Sequence, residues 1–271
     1  MAAHPRLACY AEVVPSQPAR LLELARSHSG DREVTLYIKG FLARDEKPDD
    51  FDAWLASHRK LEQSHGWGPR VRGYCWPSGR LATVPLPVAA TAKVAWDLYR
   101  RSRVLRLANV VGSLGLTVGE VALRLASQYL IVSRSLTESA DHLAHKLTGF
   151  AARYDRVRVV AHSLGCRQII EAASRLRPER RPHEIHLCAG ACREEDVAIK
   201  LPHLAREHTY QYYTTDDLVL RTAFTAMAWG RALGTTELRR DYPGLTAIDV
   251  SDHFGFRVHG EYKHRFPDFA A

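Results

Sequence analysis

One octapeptide constrains this chain more than any other segment: Arg158-Val159-Val160-Ala161-His162-Ser163-Leu164-Gly165. The apolar run that begins at Val157 predicts a short buried strand. A helical pattern follows from about Cys166 to Leu176 and stops at Arg177-Pro178. Strand, tight turn and helix therefore meet at Ser163. A serine hydroxyl is a poor nucleophile until a base removes its proton, so a chain that uses one holds it on a rigid, strained turn within reach of a histidine. The G-x-S-x-G elbow does this. Here the pattern reads Ala161-x-Ser163-x-Gly165, with alanine in the first small position. Small residues are needed there because the turn presses their Cα atoms against neighbouring backbone, and alanine adds only one methyl. Five residues alone would equally fit an ordinary serine in a βα turn. The strand before and the helix after supply the context that the motif requires.

The rest of the chain repeats this alternation. Ala19 to Ser27, between prolines and Ser29-Gly30, reads as an amphipathic helix. Glu33 to Ile38 reads as a buried strand, followed by a Gly40-Phe41-Leu42 loop, an acidic stretch from Asp45 to Asp52, and a helix starting near Asp49-Asp50 that carries Trp54 and Leu55 inward. Arg70 to Trp76 is a second strand, closed by Pro77-Ser78-Gly79. The middle, from about Ala89 to Tyr154, is largely helical, and Ser135-Leu136-Thr137-Glu138 forms a capping box for its last helix. Glu184 to Ala189, Thr209 to Tyr213 and Thr246 to Val250 read as further strands, with a helical stretch from Leu218 to Leu233. Strands alternating with helices predict an α/β fold, a mostly parallel sheet flanked by helices. No repeat or linker divides the chain, so residues 1–271 are read as one domain with a helical insertion or lid over about 89–150.

Composition narrows the setting. With 46% hydrophobic and 25% charged residues the chain has the makings of an ordinary globular core. The net charge of +8 favours anionic contacts, but the basic runs (Arg100 to Arg103, Arg175 to Arg181, Arg239-Arg240) are short and scattered, and no nucleic-acid module accompanies them. Five cysteines at irregular spacing make an odd count, which fits a reducing cytoplasm better than a disulfide framework. The first residues lack the charged-then-apolar order of a signal peptide. Leu105 to Leu125 is apolar but interrupted by Arg106, Glu120 and Arg124, short of the roughly 20 residues a spanning helix needs. A cap helix or a peripheral membrane contact is the expectation.

In a serine hydrolase built on such an elbow, the acid and then the histidine follow the nucleophile, near the ends of later strands. Asp216 and Asp217 lie just past the strand that begins at Thr209; they point in different directions, so at most one serves, and either also suits a helix cap before Leu218. His253, His259 and His264 all lie beyond the last strand. His162, next to the nucleophile, projects away from the site and is excluded as base. The oxyanion needs two backbone N–H donors, for which Leu164 and Phe41 occupy the fitting positions.

Four stretches, Ile38-Lys39-Gly40-Phe41-Leu42, Tyr74-Cys75-Trp76-Pro77-Ser78, Ala161-His162-Ser163-Leu164-Gly165-Cys166-Arg167 and Tyr213-Thr214-Thr215-Asp216-Asp217-Leu218-Val219-Leu220, resemble the DUF726 family of α/β-hydrolases, whose members include a transmembrane and coiled-coil domain protein. The resemblance spans most of the chain and implies an α/β-hydrolase fold. It puts the acid on Asp217, with Asp216 where the family pattern has Asn. The family's closing Gly-His-x-x-Tyr pattern is matched by His259-Gly260-Glu261-Tyr262, with Val258 in place of the leading glycine. That favours His259 and leaves His253 open. The expected activity is hydrolysis of a carboxylic ester, lipid esters among the candidates, through an acyl-enzyme on Ser163, with no metal or organic cofactor. Small-molecule esters, and peripherally an anionic membrane, are the expected partners; nucleic acid is not. The alternative is an inactive hydrolase scaffold that binds a protein partner or membrane.

Overall fold

The computed structural model describes residues 19–25, 30–40, 48–78, 132, 136–228, 230–255 and 258–271. Among the described residues seven strands form one sheet: β1 (Arg20–Glu23), β2 (Glu33–Ile38), β3 (Val71–Cys75), β4 (Arg156–His162), β5 (Glu184–Cys188), β6 (His208–Tyr213) and β7 (Leu245–Asp249). Their spatial order is β1-β3-β2-β4-β5-β6-β7. Only β1 runs antiparallel, against β3; every other pairing is parallel. The centre of the sheet is β2 and β4, nearly continuous apolar runs buried on both faces, as parallel strands between two helical layers must be. Towards the edge, β7 is more exposed. The fold is α/β.

Register fixes what each face carries. Tyr37 pairs with Gly73 and Val160, Ile38 with Tyr74 and Ala161. Alternation therefore sends Tyr37, Gly73, Val160 and His162 to one face and Ile38, Tyr74 and Ala161 to the other. On the Tyr37 face lie α1 (Asp52–His65) and the C-terminal α4 (Val258–Phe269), joined by the Ser57 hydroxyl donating to Lys263 O (2.6 Å) and by Trp54 edge-on to Phe266. Gly73 is glycine because a Cβ there would stand 2.7 Å from the Phe51 ring. On the Ile38 face lie α2, helical over 136–153, and α3 (Leu164–Ser174). Tyr74 donates to Ser139 O (2.8 Å), and Arg175, just past α3, pairs with Asp141 on α2.

Most expected elements recur within a residue or two. The first does not: Arg20–Glu23, expected within a helix, is strand β1, paired from Arg20↔Cys75 to Glu23↔Arg72. Short apolar runs carry no decisive period, and the open edge of β3 offers a ladder that overrides local preference. Leu218 to Leu233 is not one helix; a π-helical turn at Val219–Phe224 leads into Thr225–Ala228, and a 3-10 turn follows at Leu233–Thr235. Of the expected insertion or lid, residues 79–131 and 133–135 lie outside the described residues, as does the Leu105 to Leu125 stretch. Among the described residues no helix is long and apolar enough to cross a membrane.

Candidate active site

The sheet's connections reverse direction between β2 and β4: β2 leads outward to β3, while β4 leads the other way to β5. In open α/β sheets the crevice at the carboxyl ends of two such strands is where ligands bind. Ser163 ends β4 at that crevice, and Gly40 follows β2 beside it. A Cβ on Gly40 would lie 2.6 Å from the Ser163 Cβ and 3.2 Å from its Oγ, so only glycine lets this loop pass the serine.

Ser163 has φ 55° and ψ −125°, a backbone conformation that an L-residue adopts only at a cost of about 1–3 kcal/mol. The strain is held by its surroundings. Ser163 N donates to Cys188 O (3.0 Å), while Ser163 O accepts from Cys166 N (3.1 Å) and Ala191 N (3.0 Å). Gly165 completes the turn, since a Cβ there would meet Lys39 O at 2.6 Å and Ile38 O at 2.8 Å. The strand before and α3 after it are therefore locked to β2 and β5, and the serine, 6% exposed, stands at their junction. Leu164, the first residue of α3, donates its N–H to no acceptor among the described residues. Such a donor at a helix start is suited to a developing oxyanion. Phe41, the second expected donor, lies outside the described residues.

Asp217 and His259 come together from opposite ends of the later chain. Asp217 follows β6, is fully buried, and takes two hydrogen bonds: Oδ1 accepts from Leu220 N (3.0 Å), and Oδ2 accepts from His259 Nδ1 (2.7 Å). It is thus both the helix cap and the partner of the imidazole. Asp216 is exposed at the turn, its N–H on the Thr214 hydroxyl (3.2 Å). His259, in the first turn of α4, is about one fifth exposed and, with its Nδ1 proton on Asp217, leaves Nε2 bare to accept a proton. His253 is exposed in the 3-10 turn Ser251–His253, its ring against Phe269, and touches neither Asp217 nor Ser163. His264 is exposed on α4. Among the described residues no hydrogen bond joins Ser163 Oγ to His259.

His162 is not idle behind the serine. Its ring lies 4.8 Å from the His259 ring, and its Nε2 is 2.8 Å from His259 O. The sequence placed this side chain off the site; the alternation of β4 does send it to the opposite face from the sheet's α3 side, where α4 meets it. The signal was present in that alternation, but not the arrival of α4, whose Gly260 and Pro267 hide its helical pattern.

Other polar groups lie away from this crevice. A 270 Å³ recess lined by Glu237, Asp241, Tyr242 and the first residues of β7 includes none of Ser163, Asp217 and His259. Among the described residues, no group of three or more His, Cys, Asp or Glu side chains is arranged to hold a metal ion. Cys75, Cys166, Cys188 and Cys192 are buried.

No protein-family model matches the chain, and no curated protein does. Among solved structures it is similar to an uncharacterised protein from Capnocytophaga ochracea DSM 7271, at 11% identity and a TM-score of 0.40, over 92% of this chain and 58% of that one. The chain spans less than two thirds of that protein, and the likeness is too loose to carry a fold family or a function.

Proposed function

We propose that the chain is a serine hydrolase of the α/β-hydrolase fold, related to the DUF726 proteins, that cleaves carboxylic esters through an acyl-enzyme on Ser163. The observation that carries this reading is the Asp217–His259 hydrogen bond at 2.7 Å, formed by residues 42 positions apart, at the same sheet end as a serine in strained geometry. The chain order serine, aspartate, histidine is the order this fold uses. In the reaction, Nε2 of His259 takes the Ser163 proton as Oγ attacks the ester carbonyl. Asp217 stabilises the imidazolium, and Leu164 N–H receives the oxyanion together with a donor from the loop after β2. His259 returns its proton to the leaving alcohol, and water then releases the acyl group by the same steps. The missing Ser163–His259 hydrogen bond fits a contact that tightens only as substrate is gripped.

Leu218 and Val219, 61% and 49% exposed beside Asp217, give the neighbourhood of the acid apolar surface suited to an acyl chain or a lipid interface. The net positive charge suits an anionic membrane as the place where such a substrate is met. A non-hydrolytic scaffold is the second reading, favoured by the unlinked Ser163 hydroxyl. An alkyl fluorophosphonate separates the two: the native protein is expected to label and Ser163→Ala is not. Folded native protein that stays unlabelled would sink the hydrolase. Esters of short and long acyl chains then rank the substrate, with long-chain preference at an interface marking a lipase.

A further inference from the structure

We infer that His162 is a positioning residue, which carries the nucleophile on its backbone side and holds the main chain of His259 with its imidazole. This deepens the hydrolase reading and rests on it only for its kinetic consequence. The contact is between Nε2 of His162 and the carbonyl oxygen of His259, 2.8 Å apart. A carbonyl only accepts, so Nε2 carries the proton and donates it. The neutral ring then has a bare Nδ1.

The surroundings keep it neutral. The half-buried ring is flanked by Trp54 (6.2 Å between centroids), Tyr262 (6.0 Å) and His259 (4.8 Å). Loss of water around it, and repulsion from positive charge arising on His259 or on Lys263, outweigh the pull of the His259 carbonyl and lower its pKa to about 3. A charged His162 would lie directly against the imidazolium that forms on His259 during acyl transfer and would oppose it. A neutral donor anchors without that penalty.

The position of His162 gives the anchor its effect. Ser163 and His162 are consecutive, so the strand that fixes the serine also fixes the donor. His259 is otherwise held by its own side chain on Asp217 and by the burial of Tyr262 and Phe266 further along α4. The His162 bond restrains the first turn of that helix, where a small shift would carry Nε2 of His259 away from Ser163. A misplacement near 1 Å costs about 100-fold in rate.

The test compares His162→Phe, which keeps a ring but loses the donor, with His162→Gln, whose side-chain amide reaches the same carbonyl. Two readouts are followed in the full chain: the rate of labelling by an alkyl fluorophosphonate, and the low-field proton resonance of His259 Nδ1 in its bond to Asp217. His162→Phe is expected to label about 100-fold more slowly and to lose or broaden the resonance, while His162→Gln recovers most of both. Should the Phe variant not fold, His162→Asn, whose amide is too short to reach, takes its place. Native labelling and an intact resonance without the donor would overturn the assignment, as would a Gln variant no better than the Phe. If even the native protein does not label, the hydrolase reading fails, and the resonance alone still decides whether His162 holds His259.

Discussion

The two ends of the sheet both gather polar side chains and treat them differently. At the amino end, Arg158 is nearly buried, donates to Glu33 (2.6 Å) and Glu184 (2.7 Å), and lies over the Trp67 ring. Arg156 pairs there with Glu184 and Glu207. Burial would raise the Glu184 carboxyl, but His186, Arg156 and Arg158 outweigh it and bring it well below the usual carboxylate range. At the carboxyl end the arrangement is incomplete by design of the backbone: Ser163 is strained, its hydroxyl has no bond to His259, and Leu164 N–H has no acceptor among the described residues. One end pairs its charges with one another. The other keeps a donor, a hydroxyl and a bare imidazole nitrogen in reserve beside the Asp217–His259 pair.

If that division is right, changes at the two ends separate activity from stability. The largest effect is expected from Asp217→Asn. The amide oxygen can still accept from Leu220 N–H, so the helix cap survives, but its NH2 then faces His259 Nδ1 and forces the proton onto Nε2, the wrong tautomer. Fluorophosphonate labelling should fall about ten-thousand-fold while the melting temperature stays close to native; labelling within tenfold of native would remove Asp217 from the reaction. Next comes Arg158→Ala, which leaves Glu33 without its partner and Glu184 with one fewer. The expected loss is about 3 kcal/mol in urea unfolding. The folded variant should label at the native rate, and a labelling loss larger than the stability loss explains would join the two ends after all.

What the sequence disclosed follows the same division. The elbow was legible because its chemistry is local: small residues around Ser163, an apolar strand before, a helix after. Asp217 was legible as one of two neighbours at a strand end, and the choice between them needed a family pattern, because the turn at Thr215-Asp216 decides which carboxylate is buried. His259 was the hardest. Its place depends on α4 packing across α1, through Trp54 and Phe266, and on the face of β4, through His162 and Tyr262, contacts between residues 212 and 100 positions apart that no local pattern displays. The same long-range pairing made β1 a strand where its own residues suggested a helix. Gly40 was read as the start of a loop and as part of a family stretch, but not as the close backbone approach that a glycine just past a buried strand can signal.

The smallest predicted effect concerns pH and the face that both ends share. His58 is buried with its Nδ1 3.0 Å from Tyr37 OH and its Nε2 3.0 Å from Gly68 O, with Glu62 3.5 Å from the same nitrogen; in the neutral ring Tyr37 OH donates to Nδ1 and Nε2 donates to Gly68 O. Burial, against the pull of Gly68 O and helped by the charge of Arg158, lowers its pKa to about 4. His162 and His186 are lowered as well, burial being the largest cause in each. Because the folded value lies below the ordinary 6.5, the unfolded chain takes up the proton first as pH falls. The stability that neutral His58 contributes is therefore complete above pH 6.5 and is lost between pH 6.5 and about 4, at up to about 1.4 kcal/mol per pH unit. Melting temperature should fall by several degrees from pH 7 to pH 5, before the paired carboxylates at the amino end begin to protonate. In His58→Leu the protein is less stable at pH 7, since Tyr37 OH and Gly68 O lose their partner, but its melting temperature depends less on pH over that window. A native melting curve that does not move between pH 7 and pH 5 would mean that these histidines are not held neutral, and would leave the neutral donor assigned to His162 without its physical basis.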